Sequence, residues 1–189
     1  MSSTDDLLDA AGRGTLLDIA RDAIHGGLAG RRPELNPENF PAPLRELRAT
    51  FVTLEIGRAL RGCIGTLEAH QPLALDTAEN AYAAAFRDPR FPPLAHPEFE
   101  RLELHISILN PAVPMRFLSE RDLLGQLRPG IDGLILSERG RCATFLPAVW
   151  ESFGDPWEFL AHLKVKAGLR PDYWSETIEI SRYTVTSVS

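Results

Sequence analysis

The sequence predicts an α+β fold with a mainly antiparallel sheet and flanking helices, on three observations. The segments "ATFVTLEIGRALRGCIGTLE" and "IDGLILSERGRCATFLP" each read as two β-rich runs around a glycine-containing turn, the pattern of a hairpin. Between Leu102 and Ile108 the chain alternates strictly, with Leu102, Leu104, Ile106 and Ile108 facing one way and Glu103, His105 and Ser107 the other. Helical periods lie between these strands, but without the regular β-α-β order that builds a parallel sheet.

Taken in order, Leu17, Ala20 and Ile24 recur at helical steps and predict a helix from Thr15 to His25, stopped by Gly26-Gly27. "GRRPELNPENFPAP" carries four prolines and reads as a surface loop with a solvated Arg31-Arg32 pair. The first hairpin turns near Gly57 and places Cys63 on its second strand. Pro72 suits the first turn of the next helix, whose buried stripe is read as Leu75, Ala78, Tyr82 and Phe86, and "DPRFPPLAHP" ends it. Ser119 with Asp122 resembles a capping box for a short helix through Leu123, Leu124 and Leu127. "RPGIDG" is a turn, and the second hairpin reverses at Arg139-Gly140, with Cys142 early in the returning strand and read as packing. Asp155 as N-cap, Pro156 at the first helical position and Glu158 in the first turn start a helix that runs to Gly168. "TIEISRYTVTSV" reads as one long strand with a bulge near Ser181-Arg182. Trp150, Trp157 and Phe159 are expected in the core.

Composition narrows the function classes. The 189 residues are 44% apolar and 24% charged, as in an ordinary globular domain. A net charge of -6 repels a phosphate backbone, so nucleic-acid binding is disfavoured. The acidic opening lacks the basic and apolar runs of a signal peptide and no segment is long enough to span a membrane, so a cytoplasmic protein is expected. Cys63 and Cys142 lack Cys-x-x-Cys spacing and are expected as free thiols. The five histidines supply no helical ligand pair; any metal site would have to be assembled from distant residues, and none is predicted. Glycine-rich nucleotide loops and the Gly-x-Ser-x-Gly elbow are also missing, and no cofactor is predicted.

The segment "LRGCIGTLE" is the first place to look for chemistry, because two glycines around a cysteine weaken a strand without evident structural gain. Regular strand geometry puts Leu60, Gly62, Ile64 and Thr66 on one face, with Leu60 and Ile64 in the core. Arg61, Cys63 and Gly65 then share the other face. A guanidinium beside a thiol favours the reactive thiolate, and Gly65 would leave open space for a ligand next to the sulfur. The alternative makes Cys63 a small buried hydrophobe and Arg61 a surface residue. His105, on the polar side of its strand, is a candidate base for the thiol; otherwise it is a solvated strand histidine.

"FVTLEIGRALRGCIGTLEA", "AFRDPRFPPL", "ISILNP", "GIDGLIL", "ATFLPAVWE" and "FLAHLKVKAGL" together resemble the AMMECR family, named for the Alport syndrome, midface hypoplasia and elliptocytosis chromosomal region. The likeness runs in order from Leu16 to Val188. It implies one AMMECR-like domain over residues 8–189, two-lobed, with the hallmark "LRGCIGT" lining a cleft, and residues 1–7 disordered. It also implies a pathway shared with Memo-like and radical SAM proteins, without supplying a reaction. The family pattern marks Arg61, Gly62, Cys63, Gly65 and Thr66, then Asp88, Arg90 and Phe91, then Gly133 and Lys166. One departure stands out: many relatives read Leu-Cys-x-Lys in the late helix, whereas here Lys164 follows Leu163. Asp88 and Arg90 also read as a salt-bridged turn, and Lys166 as a partner of the helix dipole.

These readings lead to two expectations. In the first, a small polar or anionic molecule is handled by Cys63 as thiol nucleophile or covalent carrier, with Arg61 binding its charge and Gly62, Gly65, Thr66, Asp88, Arg90, His105 and Lys166 as ligand-binding residues. In the second, the chain is a non-catalytic binding or adaptor module.

Overall fold

The computed structural model describes residues 8–189; the disorder expected for residues 1–7 lies outside them. The chain divides into two compact units, one running through Leu109 and returning at Thr186–Ser189, the other spanning Asn110–Val185.

In the first unit, helix α1 (Ala10–Leu28) begins where Asp9 accepts a 2.8 Å bond from the Gly12 amide. Contrary to the predicted stop, α1 continues through Gly26-Gly27. A β-carbon on Gly27 would lie 2.2 Å from the Phe86 ring, so the glycine lets a neighbouring helix approach. The stop falls instead at Gly30, with φ +75°. The proline-rich loop holds a 3-10 turn (Pro37–Asn39) and the short α2 (Ala42–Arg45).

Strands β1 (Ala49–Ile56) and β2 (Ala59–Gly65) form the predicted hairpin. Gly57 and Arg58 both have positive φ, +58° and +65°, as a two-residue type I′ turn requires. Helix α3 (Leu73–Phe86) buries Leu73, Ala74, Ala78, Ala81, Ala84 and Ala85, whereas the predicted stripe residues Leu75, Tyr82 and Phe86 are only partly buried. Small side chains win this face because they let α3 press closely on β1 and β2. After α4 (His96–Phe99), β3 (Glu103–Leu109) buries Leu104, Ile106 and Ile108 as its alternation predicts.

The second unit contains β4 (Val113–Pro114), α5 (Glu120–Gln126), β5 (Gly133–Glu138), β6 (Arg141–Phe145), a 3-10 turn (Pro147–Ser152), α6 (Pro156–Lys166) and β7 (Glu179–Tyr183). Asp155 caps α6 by accepting a 2.9 Å bond from the Glu158 amide. Ser119 caps α5 as predicted, but Asp122 turns to the Leu118 amide at 2.8 Å instead of closing a capping box. Trp150 stacks on Phe159 with ring centroids 3.7 Å apart, whereas Trp157 is 55% exposed and does not join the core.

The final strand is β8 (Val185–Val188). The single bulged strand expected here is instead two strands in different sheets. The orders are β2-β1-β3-β8 and β4-β7-β5-β6. The phase shift in the sequence therefore marks a change of sheet after Tyr183.

Candidate functional site

A bulge sets the geometry around Cys63. Ile56 pairs with Ala59 and Glu55 with Leu60, but Leu54 then pairs with Gly62, leaving Arg61 as the extra residue on β2. The slip overturns the expected faces: Leu60 is carried outward, 42% exposed, and Arg61 is buried. Beyond the bulge the phase is regular. Ile64 packs against the core, and Cys63 pairs with Thr53 on the opposite face.

Both glycines of the segment are held by packing. A β-carbon on Gly62 would lie 2.2 Å from the backbone carbonyl oxygen of Ala84, so α3 rests directly on the strand. The open space expected at Gly65 is filled by the ring of Phe51, its cross-strand partner, 2.3 Å from where a β-carbon would stand. Thr66 donates its hydroxyl to Asp76 at 2.9 Å. Asp76 is fully buried and also accepts from the Thr50 amide and hydroxyl, both at 2.7 Å, and from the Asn80 side chain at 3.0 Å. This carboxylate ties β1, α3 and the residue after β2 together.

Cys63 is half-buried, with Sγ 3.3 Å from Thr53 Oγ1. Its amide donates to Asp88 Oδ2 at 2.9 Å, and its carbonyl accepts from Arg90 Nη2 at 3.3 Å. Arg90 grips Asp88 through Nε and Nη2, at 2.9 and 2.7 Å, and its own amide donates to Oδ1 at 3.1 Å. Pro89 lies between them, so the predicted salt-bridged turn exists and also clamps the cysteine backbone. The Arg90 side chain, with the Cys63 and Arg90 amides, holds the Asp88 carboxyl far below the usual carboxylate range despite its burial. The same bond to Asp88 raises the pKa of Arg90. Asp88 is 1% exposed in its side chain and Arg90 54%, so the face this pair offers outward is cationic.

Arg61 does not stand beside the sulfur as an anion ligand. Its Nε and Nη2 donate to Glu98 at 2.7 and 3.0 Å, and Nη2 also donates to the Pro92 carbonyl at 3.0 Å. That bidentate partner, with the Ala95 amide, lowers the pKa of Glu98. Nη1 of Arg61 is buried without a hydrogen-bond partner. The Phe91 ring lies against both cations, 5.9 Å from the Arg61 guanidinium and 5.5 Å from that of Arg90.

His105 shares the Cys63 face but pairs with Thr53 on β1, two strands from the cysteine. Strand spacing separates the two by roughly 10 Å, too far for direct proton transfer to a base. Lys166 belongs to the second unit, where Nζ donates to the Thr144 carbonyl at 2.9 Å. Gly133, in the same unit, lies under the ring of Tyr183, whose hydroxyl burial pushes up to about 12. Cys142 is exposed, so its expected packing role is overturned; both thiols are free. Thr53, Asp76 and Glu98 were missed from the sequence because their partners come from other elements.

The comparisons with known proteins meet this geometry at residues 17–188, matched by the AMMECR1 family model. The chain belongs to the AMMECR1 family. It is 40% identical over 159 residues to a protein of Methanothermobacter thermautotrophicus, covering 84% of this chain and 83% of the relative. Protein MJ0810 of Methanocaldococcus jannaschii is 38% identical over 168 residues, covering 87% and 83%. The crystal structure of uncharacterized protein PH0010 from Pyrococcus horikoshii superposes with a TM-score of 0.83 at 34% identity, covering 92% of this chain and 88% of that one. AMMECR1 membership and the α+β fold thus stand together.

A hollow of about 610 Å³ lies elsewhere in the first unit, between α1 and the proline-rich loop. Ile19, Leu35 and Phe40 line it, with Asp18, Asp22, Glu34, Arg31 and Arg32 among its other residues. It holds no thiol, and its charges are mixed in sign. Chemistry points instead to the Cys63, Asp88 and Arg90 cluster. Among the described residues no helix is long and apolar enough to cross a membrane.

Proposed function

We propose that this AMMECR1-family chain binds a small anionic molecule on the surface formed by residues 60–66 and 88–91, with Cys63 as thiol nucleophile or covalent carrier. The role first read for Arg61 passes to Arg90. One observation carries the proposal: the backbone amide of the half-buried Cys63 and an outward-facing guanidinium are both bound to the same buried carboxylate, Asp88. A ligand arriving there meets the exposed edge of Arg90 while the balancing negative charge stays inside, and the clamped backbone keeps Cys63 beside it, with the Thr53 hydroxyl 3.3 Å from the sulfur. Family membership supports the further reading of a pathway shared with Memo-like and radical SAM proteins.

Protection from alkylation tests the reading. Inorganic phosphate and small carboxylates are screened for slowing the reaction of Cys63 with iodoacetamide, followed by mass spectrometry. The proposal expects saturable protection that Arg90→Gln removes, with Cys142 unaffected as internal reference. Equal Cys63 rates with and without every anion would defeat it.

The second reading, a non-catalytic binding or adaptor module, draws on Leu60, which the bulge turns outward beside a rigidly held segment. It expects Cys63→Ser to keep full biological activity and Leu60→Asp to lose it.

A further inference from the structure

We propose that the Cys63 face of the first sheet also carries a divalent transition-metal site, formed by Glu55, Glu103 and His105. The inference stands independently of any role for the cysteine. Register places Glu55 directly opposite Glu103, and Thr53 opposite His105. Alternation along β3 puts Glu103 and His105, two residues apart, on the face where Glu55 stands. One ligand atom from each residue lies within 4.8 Å of the others, and His105 Nε2 is 3.7 Å from Glu55 Oε2.

The arrangement is unfavourable without a cation. Directly opposed carboxylates in a strand pair repel and cost stability. Among the described residues Glu103 has no lysine or arginine partner, and the ion-pair contact of Glu55 is with His105. The β1–β3 register is unbroken through Glu55↔Glu103, so the two carboxylates are held opposite each other by regular strand pairing. A bound cation would neutralise the pair and use the histidine.

Ligand chemistry selects the class of ion. Around tetrahedral Zn²⁺, ligand atoms about 2.1 Å from the metal stand about 3.4 Å apart, so no pair of the three groups needs to close by more than roughly 1.4 Å. Glu103 is exposed and Glu55 and His105 partly so, which leaves their rotamers free to make that movement. One imidazole with two carboxylates suits Zn²⁺, Mn²⁺ or Fe²⁺ over Mg²⁺ and Ca²⁺. Three protein ligands leave a coordination position for water or an anion, as catalytic metal sites do. Spacing searches miss such a site because Glu55 comes from one strand and Glu103-x-His105 from another.

The test uses the full chain, stripped with a chelator and titrated with Zn²⁺ by calorimetry and with Co²⁺ by visible absorption. One ion per chain is expected. Glu103→Gln and His105→Ala should each weaken binding by about tenfold or more, whereas Cys63→Ser and Cys142→Ser should keep it. Zn²⁺ should raise the melting temperature of the wild type and not of Glu103→Gln. Without metal, Glu103→Gln should be at least as stable as the wild type, because the repulsion is gone, so lost binding there cannot be lost folding. Absence of saturable binding, equal affinity in Glu103→Gln, or dependence on Cys63 would each overturn the site.

Discussion

The β1–β2 hairpin turns through Gly57 and Arg58 and the β5–β6 hairpin through Arg139 and Gly140, all four with positive φ. Each returning strand carries an arginine and then a cysteine: Arg61 and Cys63 in one, Arg141 and Cys142 in the other. Their surroundings diverge. In β5–β6 the register is unbroken from Glu138↔Arg141 to Leu134↔Phe145, and Cys142 lies exposed with the Ser137 hydroxyl 3.8 Å from its sulfur. In β1–β2 a bulge swallows Arg61, the Asp88 turn clamps the Cys63 backbone, and Thr53 stands against the sulfur. Two hairpins with similar local sequence thus hold one thiol in a built environment and the other at the surface. Residues remote in sequence, Asp88, Arg90 and Glu98, make the difference.

The frame behind the first hairpin is the place to break this contrast most strongly. Asp76→Ala leaves the buried Thr50 amide and hydroxyl without their acceptor, and should cost about 4 kcal/mol in denaturant unfolding. The glycines separate the hairpins further. Gly62→Ala drives a methyl into the Ala84 backbone and should cost about 3 kcal/mol, whereas Gly133→Ala meets a side chain, the Tyr183 ring, and should cost about 1.5 kcal/mol. A smaller cost for Gly62→Ala than for Gly133→Ala would contradict the close helix-on-strand contact.

Asp88→Asn should destabilise the chain at neutral pH by about 2 kcal/mol, through a weakened charged hydrogen bond inside. Its pH dependence sharpens the point. The folded pKa of Asp88 lies far below its ordinary value, so the unfolded chain takes up a proton first as pH falls. The stabilisation from this group is therefore complete above the ordinary carboxylate range and is lost on acidification toward the folded pKa. Glu98, lowered mainly by Arg61, acts in the same direction. Stability curves from pH 6 downward should fall less steeply for Asp88→Asn than for the wild type; parallel curves would remove the buried Asp88 carboxylate from the account.

Much of the architecture was legible from local pattern. Glycine-containing turns placed both hairpins, strict alternation placed β3, and Asp155-Pro156 placed the start of α6, since each depends on chemistry within a few residues. The errors come from tertiary contact. Gly26-Gly27 reads as a stop, yet Gly27 packs under Phe86; Leu75, Tyr82 and Phe86 read as a core stripe, yet an alanine face fits closer to the sheet. At the candidate site the deciding event is one residue of register. A regular hairpin from the Gly57-Arg58 turn would pair Thr53 with Gly62 and keep Arg61 opposite Leu54, whereas the bulge pairs Thr53 with Cys63. Nothing local to "LRGCIGT" announces that slip, because its partners, Ala84 against Gly62 and Glu98 bound to Arg61, lie far along the chain.

The most direct measurement compares alkylation of Cys63 by anionic iodoacetate and neutral iodoacetamide in the wild type and in Arg90→Gln, with Cys142 read in the same samples. If Arg90 presents positive charge beside the sulfur, the iodoacetate-to-iodoacetamide rate ratio at Cys63 should fall about threefold in the variant, less at high salt, while the ratio at Cys142 stays constant. An unchanged ratio at Cys63 would mean that the guanidinium serves the fold alone, and the anion-handling thiol surface would be contradicted.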